Sequence, residues 1–344
     1  MNHQLAAWLH NIDPYLVDLG LWEGGPIRWY GLAYIVGFTL GYVLIRRVAT
    51  VGICSIKPNH VPDLVVAMMI GVVIGGRLGY VFFYQPALIW TFYMHLPFWG
   101  VLAINEGGMA SHGGIIGGIV ACLWFARRHG HSQLFLLDLL AFGTPLGLFF
   151  GRLANFINGE LYGRGPTRVP WSVKFPQEIT VWPAVKIDQL FQALPDTSSL
   201  PGNTLWSPAT VIELIQQGHP RVIEVIEPML TPRHPSQIYA GVLEGLVVFA
   251  VLSLAWSRPR QPGIIGSLFC FTYGCMRLFG ELFRQPDEGI GFQLWGLTRG
   301  QWLSVPLLLS GVAVLFCACH TPTIPTGSWR RGTWTKKEIP EDKI

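Results

Sequence analysis

The chain has 344 residues, of which 51% are hydrophobic and 13% are charged, and its mean hydropathy is +0.40. A soluble globular protein carries about 25% charged residues, so this composition excludes a disordered chain and disfavours an ordinary soluble enzyme. The formal net charge of +4 is too small to indicate nucleic-acid binding. Because Trp is favoured at membrane interfaces and Gly in membrane helices, the 14 Trp and 40 Gly favour a protein with several membrane spans.

The hydropathy pattern divides the chain into apolar segments. The first 26 residues lack the basic start and short apolar core of a cleaved signal peptide. Seven segments follow, each long enough or nearly long enough to cross a bilayer, at about residues 27–45, 62–83, 109–126, 134–150, 237–256, 263–283 and 300–319. The sequence therefore predicts an all-α polytopic membrane protein with about seven transmembrane helices.

Basic residues predict the orientation of these helices. Clusters follow the first, third, fifth and seventh segments, at Arg46, Arg47, Lys57, Arg127, Arg128, Arg258, Arg260, Arg330, Arg331, Lys336, Lys337 and Lys343. By the positive-inside rule that side is the cytoplasm, so the N-terminus is expected outside and the C-terminus inside a cytoplasmic (inner) membrane. The predicted regions are an extracytoplasmic N-terminal segment (1–26), helices one to four (27–150), an extracytoplasmic head loop (151–235), helices five to seven (236–319) and a cytoplasmic tail (320–344).

Two regions outside the membrane carry further expectations. Short β-prone runs, Trp171 to Phe175 and Arg221 to Ile226, predict a small β-containing head with irregular connections. The tail from Thr321 is polar and basic, and we expect it to be mobile.

Several charged side chains fall inside the predicted spans, where each costs on the order of 3 kcal/mol. Those mapped to the outer half of the membrane are Arg77, His112, Arg152, Arg277, Glu281 and Arg284. A single arginine can extend toward the outer headgroups, but several at one depth on different helices predict a site for an anionic lipid headgroup. Asp63 and Asp138 lie toward the cytoplasmic ends, where capping or pairing is expected.

The densest polar run is GRLANFINGELYGR at residues 151–164, which begins where the fourth segment ends. It combines two cations, two amides and a carboxylate with glycines that permit tight turns: Arg152, Asn155, Asn158, Glu160, Gly163 and Arg164. Polar groups at this density are costly at a membrane boundary unless they bind something. Helix termination with local capping is the alternative. The run SHGG, at 111–114, places the titratable His112 beside glycines that would let a substrate approach the backbone.

The stretch GRLANFINGELYG resembles the signature of bacterial prolipoprotein diacylglyceryl transferases over its whole length. Shorter runs are similar in the same order: RWYG at 28–31, GGMASHGG at 107–114, PRHPSQIY at 232–239, LEG at 243–245 and RLFGELFRQPD at 277–287. The resemblance covers most of residues 25–318. The departures are a longer loop between Gly165 and Thr231, Ala240 where Glu is frequent, and the tail.

The resemblance implies transfer of the diacylglyceryl group of phosphatidylglycerol to the lipobox cysteine thiol of a prolipoprotein, with release of glycerol phosphate. Arg152 and Arg277 would then stabilise the leaving phosphate, and His112 would act as a base or as a hydrogen-bonding group for the lipid. The other implied substrate-binding residues are Tyr30, Arg77, Asn155, Asn158, Glu160, Gly163, Arg164, Glu281 and Arg284. Glu281 would hold Arg277 and Arg284. Neither a cofactor nor a metal is expected, and the thiol belongs to the substrate.

Two other classes of membrane protein were considered. A seven-span receptor or retinal protein is disfavoured because the last segment contains no Lys for a Schiff base. A lipid or small-solute transporter with an anionic headgroup site in the outer leaflet remains the alternative. Paired broken helices and internal symmetry would favour it.

Overall fold

All seven apolar segments fold as helices in the computed structural model, which describes residues 7–17, 27–104, 107–195, 205–286, 291–321 and 323–332. The helices are α1 (Trp29–Val51), α2 (Val61–Phe83), α3 (Ser111–His129), α4 (Gln133–Ile157), α5 (Ala184–Ala193), α6 (Pro208–Gln216), α7 (Pro220–Ile226), α8 (Ser236–Ala240), α9 (Val248–Ala255), α10 (Ile264–Gly280) and α11 (Arg299–His320). A π-helical turn, Gly241–Val247, joins α8 to α9.

Five helical stretches in the described residues are long and apolar enough to cross a membrane. They are Trp29–Val51, Pro58–Phe83, Gln133–Ile157, Ser236–Ala255 and Arg299–His320. Helix α10 is apolar but has only 17 residues, and α3 has 19 with a lower mean hydropathy. The protein is thus a mostly helical, polytopic membrane protein.

The chain divides into two compact units. The first unit comprises Met1–Ile35, Leu148–Gly245 and Cys275–Ser304, and the second comprises Val36–Gly147, Leu246–Gly274 and Val305–Ile344.

Helices of the second unit approach closely at small residues. A Cβ atom added to Gly75 of α2 would lie 2.8 Å from the Cα atom of Gly117 in α3, so any larger residue would force the helices apart.

The expected capping role of Asp138 is confirmed. This carboxylate of α4 is 1% exposed and accepts hydrogen bonds from the backbone N–H groups of Gly263 (2.7 Å) and Gly266 (2.6 Å) at the start of α10.

The first unit contains a small sheet, as the sequence predicts. Strand β1 (Trp8–Leu9) pairs in parallel with β4 (Val173–Lys174), which pairs antiparallel with β5 (Pro232–Arg233). A second pair joins β2 (Tyr15–Val17) to β3 (Ile27–Arg28). Helices α5 to α7 enclose a hydrophobic core next to the sheet, formed by Ile179, Leu190, Leu194, Val211, Ile215, Val222, Ile226 and Leu230.

One predicted strand is wrong. Strand β4 lies within the run from Trp171 to Phe175, but the run from Arg221 to Ile226 is the helix α7. Pro220 occupies its first turn, where the missing N–H costs nothing. Val222 and Ile226, four residues apart, are both fully buried in the core described above. Burial of one helical face therefore decides the conformation against the β propensity of Val and Ile.

The expectation of a mobile tail stays a prediction, but the part of the tail that the structure describes is paired with other segments. Residues 323–332 pack against the second unit through paired backbone hydrogen bonds to Ile53 and Arg260. Composition suggested mobility because these residues are polar, but their backbone groups find partners in the connections between helices. The tail beyond residue 332 lies outside the described residues.

Candidate active site

Helix α4 carries the dense polar run into the first unit. It continues to Ile157, so Arg152 and Asn155 project from its last turns. Gly159 then adopts a positive φ of 69°, a left-handed conformation that glycine accepts easily and that ends helices. The remaining polar residues of the run follow in the connection.

Arg152 and Arg277 meet at a single carboxylate, that of Glu244. Arg152 donates through Nη2 (2.8 Å) and Nε (3.2 Å) to Oε2, and Arg277 donates through Nη1 (2.9 Å) to Oε1. The Glu244 side chain is 0% exposed, whereas Arg152 and Arg277 keep 18% and 14% exposed. The carboxylate is therefore sealed behind two cations that remain accessible to a ligand.

The π-helical turn sets Glu244 in this position. Gly245, the next residue, packs so closely on α4 that an added Cβ would lie 3.0 Å from the Cα atom of Phe149. This contact with Phe149 brings Glu244 beside Arg152, which follows Phe149 by three residues in α4. π-Bulges inside helices frequently mark functional sites.

Glu281 extends the network in the way the sequence predicts. Its Oε1 atom lies 2.5 Å from Nη2 of Arg277 and 3.9 Å from Nη1 of Arg284. Its Oε2 atom accepts a hydrogen bond from Thr298 Oγ1 at 2.8 Å. Three guanidinium groups thus face two carboxylates in one network.

A second cluster joins Tyr30, at the start of α1, to Asn155 and Glu160. The Tyr30 hydroxyl donates to the Glu160 carboxylate, and Asn155 Nδ2 contacts both the hydroxyl and, at 2.8 Å, Glu160 Oε1. Gln237 Nε2 donates to the backbone oxygen of Glu160 at 2.6 Å. Glu160 is held from three sides.

Gly163 and Arg164 fix the connection after α4. The Gly163 N–H donates to the backbone oxygen of His234 (3.0 Å), and a Cβ on Gly163 would lie 2.7 Å from the backbone oxygen of Phe283. Arg164 Nε donates to the backbone oxygen of Arg284 at 2.9 Å. Asn158 Oδ1 is buried and accepts no hydrogen bond from the described residues.

Arg77 and His112 belong to the second unit. Arg77 is 4% exposed, and its guanidinium donates to the backbone oxygens of Gly100 (2.6 Å), Val101 (2.7 Å), Gly107 (2.5 Å) and Gly108 (3.1 Å). These contacts make Arg77 an organiser of the connection between α2 and α3. His112 is an exposed residue in the first turn of α3.

Sequence reasoning overlooked Glu244 as a site residue. The available signal was an acid in the middle of the apolar segment 237–256, where an unpaired charge is costly.

Sequence reasoning also overlooked His234. Its Nδ1 atom lies 3.2 Å from the Tyr239 hydroxyl, which accepts a hydrogen bond from Trp171 Nε1 at 2.5 Å. Burial lowers the pKa of His234 below its ordinary value. Within the described ranges, no three His, Cys, Asp or Glu side chains converge as a metal site requires.

Comparison with known proteins identifies the family. A family model described as prolipoprotein diacylglyceryl transferase matches residues 16–317. The chain belongs to the prolipoprotein diacylglyceryl transferase family. It is accordingly a transferase of lipoprotein biosynthesis. The run at 151–164 and the Arg–Glu network all lie inside the matched residues, whereas the tail from Thr321 lies beyond them.

Curated members of the prolipoprotein diacylglyceryl transferase family resemble the chain over most of its length. A phosphatidylglycerol–prolipoprotein diacylglyceryl transferase of Bdellovibrio bacteriovorus is 42% identical over 346 aligned positions, covering 94% of this chain and 97% of the relative. The enzyme of the same name from Rhodospirillum centenum is 38% identical and covers 90% of this chain and 93% of the relative. That of Neisseria gonorrhoeae is 37% identical and covers 88% and 94%.

Proposed function

We propose that Arg152 and Arg277 form the phosphate site at which this enzyme transfers the diacylglyceryl group of phosphatidylglycerol to the lipobox cysteine thiol of a prolipoprotein. The observation that carries the proposal is their shared contact with the buried Glu244. A guanidinium matches two phosphate oxygens with parallel hydrogen bonds, and two such groups fixed in place form a receptor for a phosphodiester.

The reaction forms one carbon–sulfur bond and breaks one carbon–oxygen bond. The thiol loses its proton to a base, the thiolate attacks the glyceryl carbon, and glycerol phosphate departs with one more negative charge on its phosphate than the diester had. Cations that are already in place stabilise this charge as it develops. The guanidinium groups of Arg152, Arg277 and Arg284, held by Glu244 and Glu281, supply such cations.

The remaining residues receive supporting roles in this proposal. Tyr30, Asn155 and Glu160 would position the glycerol headgroup through their hydroxyl, amide and carboxylate, with the buried amide oxygen of Asn158 nearby in sequence. Gly163 and Arg164 hold the connection that carries Glu160.

His112 and Arg77 have different parts. His112 is proposed as the base that accepts the thiol proton or as a lipid ligand, because an imidazole suits proton transfer near neutral pH. In His112→Gln, loss of the base would lower kcat, whereas loss of a lipid ligand would mainly raise KM for phosphatidylglycerol. Arg77 would contribute by holding the connection before α3.

A reconstituted transfer assay tests the function. Purified protein, phosphatidylglycerol and a lipobox peptide should yield a peptide with a thioether-linked diacylglyceryl group and an equal amount of glycerol phosphate. A lipid transporter would move phosphatidylglycerol without consuming it. Absence of the thioether product with folded protein would therefore remove the transferase assignment and favour the transporter.

The proposed topology has seven spans, with the N-terminus and active site outside and the tail in the cytoplasm. It includes α3 and α10, which are the two helices of borderline length or hydropathy. The proposed regions are 1–26, 27–150, 151–235, 236–319 and 320–344. Reporter fusions at Gly130 and Lys336 should score as cytoplasmic, and one at Gly202 as external. A cytoplasmic score at Gly202 would contradict both the topology and the external site.

A further inference from the structure

The described tail forms a clasp, which we define as residues 323–332. Thr326 exchanges two backbone hydrogen bonds with Arg260 (2.7 and 3.0 Å), and Gly327 exchanges two with Ile53 (2.5 and 3.1 Å). Ile53 follows α1, and Arg260 precedes α10, so the clasp ties two connections of the second unit together.

Side chains lock the clasp in one position. The Trp256 indole donates to the backbone oxygen of Thr326 (3.2 Å), and the Trp329 indole donates to that of Ser253 (2.7 Å). Ser328 is fully buried and donates to the backbone oxygen of Ser257 at 3.2 Å. A Cβ on Gly52 would lie 2.6 Å from the backbone oxygen of Ser328, so the fit requires glycine there. This degree of fit is unexpected for a polar tail.

The clasp brings two arginines from distant parts of the chain to one tryptophan. Arg47, in the last turns of α1, donates through Nε to the backbone oxygen of Trp329 at 3.2 Å. The Arg330 guanidinium carbon lies 4.9 Å from the centre of the Trp329 ring. Both arginines are exposed. Arg46, Arg258, Arg260 and Arg331 are exposed in the same unit.

Acidic residues are scarce in the part of the second unit that the structure describes. The described residues of the second unit contain two, Asp63 and Asp138. Asp138 is buried and engaged by the start of α10. Asp63 is exposed in the first turn of α2, where a carboxylate interacts favourably with the helix dipole. Among the described residues of the second unit, the arginines at the clasp therefore outnumber the acids.

We propose that the clasp builds a binding site for the phosphate of an anionic phospholipid, with Arg47 and Arg330 as the phosphate ligands and Trp329 as the interfacial anchor. Clustered basic residues beside a transmembrane helix attract anionic headgroups, at about 1 kcal/mol for each Arg, and Trp is favoured at the headgroup level. Trp329 and Arg330 lie beyond the residues matched by the family model, whereas Arg47 lies within them. It is separate from Arg152 and Arg277, and its assignment to the cytoplasmic leaflet rests on the proposed topology.

Lipid retention by the full-length protein in detergent tests the site. The probe is dioleoylphosphatidic acid, with the zwitterionic dioleoylphosphatidylcholine, which has no net charge, as its counterpart, and native mass spectrometry counts the bound lipids. In an Arg152→Gln background, which removes the other proposed phosphate site, the double substitution Arg47→Gln with Arg330→Gln should weaken the tightest-bound anionic lipid about 30-fold, or about 5-fold for each arginine. Phosphatidylcholine should not be retained.

The matched control is Arg127→Gln with Arg128→Gln, which removes two charges from the end of α3 and leaves the clasp intact. It should retain lipid like the parent protein. Equal loss in both double variants would show general attraction to a basic surface and overturn the proposal. Displacement of the lipid by an equal concentration of inorganic phosphate would assign the site to free phosphate and overturn the lipid assignment.

Two further measurements separate this site from the rest of the protein. Arg330→Gln alone removes no backbone hydrogen bond of the clasp, so it should fold and still lose lipid about 5-fold; unchanged affinity would overturn the proposal. Transfer activity with saturating substrates should be unchanged in Arg330→Gln, because the clasp does not supply the catalytic arginines. Since binding in detergent does not depend on membrane orientation or on transfer activity, failure of the topology or of the proposed function would be recognised independently.

Discussion

Arg152 of α4 and Arg277 of α10 bind opposite oxygens of one buried carboxylate, at 2.8 and 2.9 Å. Without Glu244 between them, the two guanidinium groups would repel each other, because both carry a positive charge. The carboxylate fixes both positions and still leaves a part of each side chain exposed.

Because the arginines share one partner, their substitutions should be coupled: the double variant should lose less activity than the two single losses predict together.

If Arg152 and Arg277 act as proposed, substitution of either one by lysine should lower turnover by about 10²- to 10³-fold. Lysine keeps the charge but lacks the planar guanidinium, which can donate two parallel hydrogen bonds to the phosphate in the transition state. Steady-state kinetics with varied phosphatidylglycerol would show a fall in kcat with a smaller change in KM. Arg258→Lys, an exposed arginine of the second unit, is the control and should be near neutral.

The opposite kinetic pattern would assign Arg152 and Arg277 a different role. If Arg152→Lys and Arg277→Lys bind lipid more weakly but reach the parent rate at saturation, the arginines act only as a headgroup clamp. Stabilisation of the leaving phosphate would then have to come from other residues.

Glu244→Gln should reduce kcat by about 10- to 100-fold, equivalent to about 1.4–2.8 kcal/mol. The amide oxygen can accept from one arginine, but the amide N–H group would face the other guanidinium as a second donor. Kinetics and thermal unfolding should be measured together. The control is Glu213→Gln, an exposed acid on α6, which should change neither. Full activity of Glu244→Gln would show that Glu244 does not position the arginines.

The buried His10 should make the folding stability of the first unit sensitive to acid. Its Nε2–H group is 2.7 Å from the backbone oxygen of Phe156, its Nδ1 atom is buried without a partner among the described residues, and burial lowers its pKa. The unfolded chain therefore binds a proton at a higher pH than the folded one, and stability falls as the pH drops below about 6.5.

Thermal unfolding at about pH 7.5 and about pH 5.5 would measure this effect. His10→Gln, which can still donate to Phe156, should show a smaller difference in Tm between the two conditions than the parent. His320→Gln, at the exposed end of α11, should keep the parental difference. An unchanged pH dependence in His10→Gln would exclude His10 as its source.

Replacement of all six cysteines by Ser or Ala should preserve transfer activity. None of the six forms a disulfide bond in the part of the chain that the structure describes: Cys54, Cys122, Cys270, Cys275, Cys317 and Cys319. Cys122 is fully buried, so Ala is the better substitute there. The reacting thiol belongs to the acceptor peptide in the proposed reaction. Loss of turnover in a folded cysteine-free protein would indicate a covalent enzyme intermediate and contradict direct displacement.

Residues close in sequence were the ones that sequence reasoning placed well. Arg277 and Glu281 are four residues apart, which puts them on one face of a helical segment, and their ion pair is present. The run at 151–164 was recognised as a unit because its polar density is local. Arg77 was harder to interpret: its position inside a span predicted a headgroup ligand, but only the folded connection reveals the four carbonyl groups that it binds.

The sequence by itself determined the membrane class, the seven helical segments, the polar run and the family resemblance, because hydropathy and motif spacing are properties of neighbouring residues. Only the tertiary structure decided that Glu244 joins Arg152 to Arg277, that α7 is helical, and that the tail folds back as a clasp. These three outcomes depend on contacts between segments far apart along the chain. Those contacts set the free energy of a buried ion pair, of a helical face packed in the core and of paired backbone segments. The hydropathy of neighbouring residues does not show which distant segments will meet.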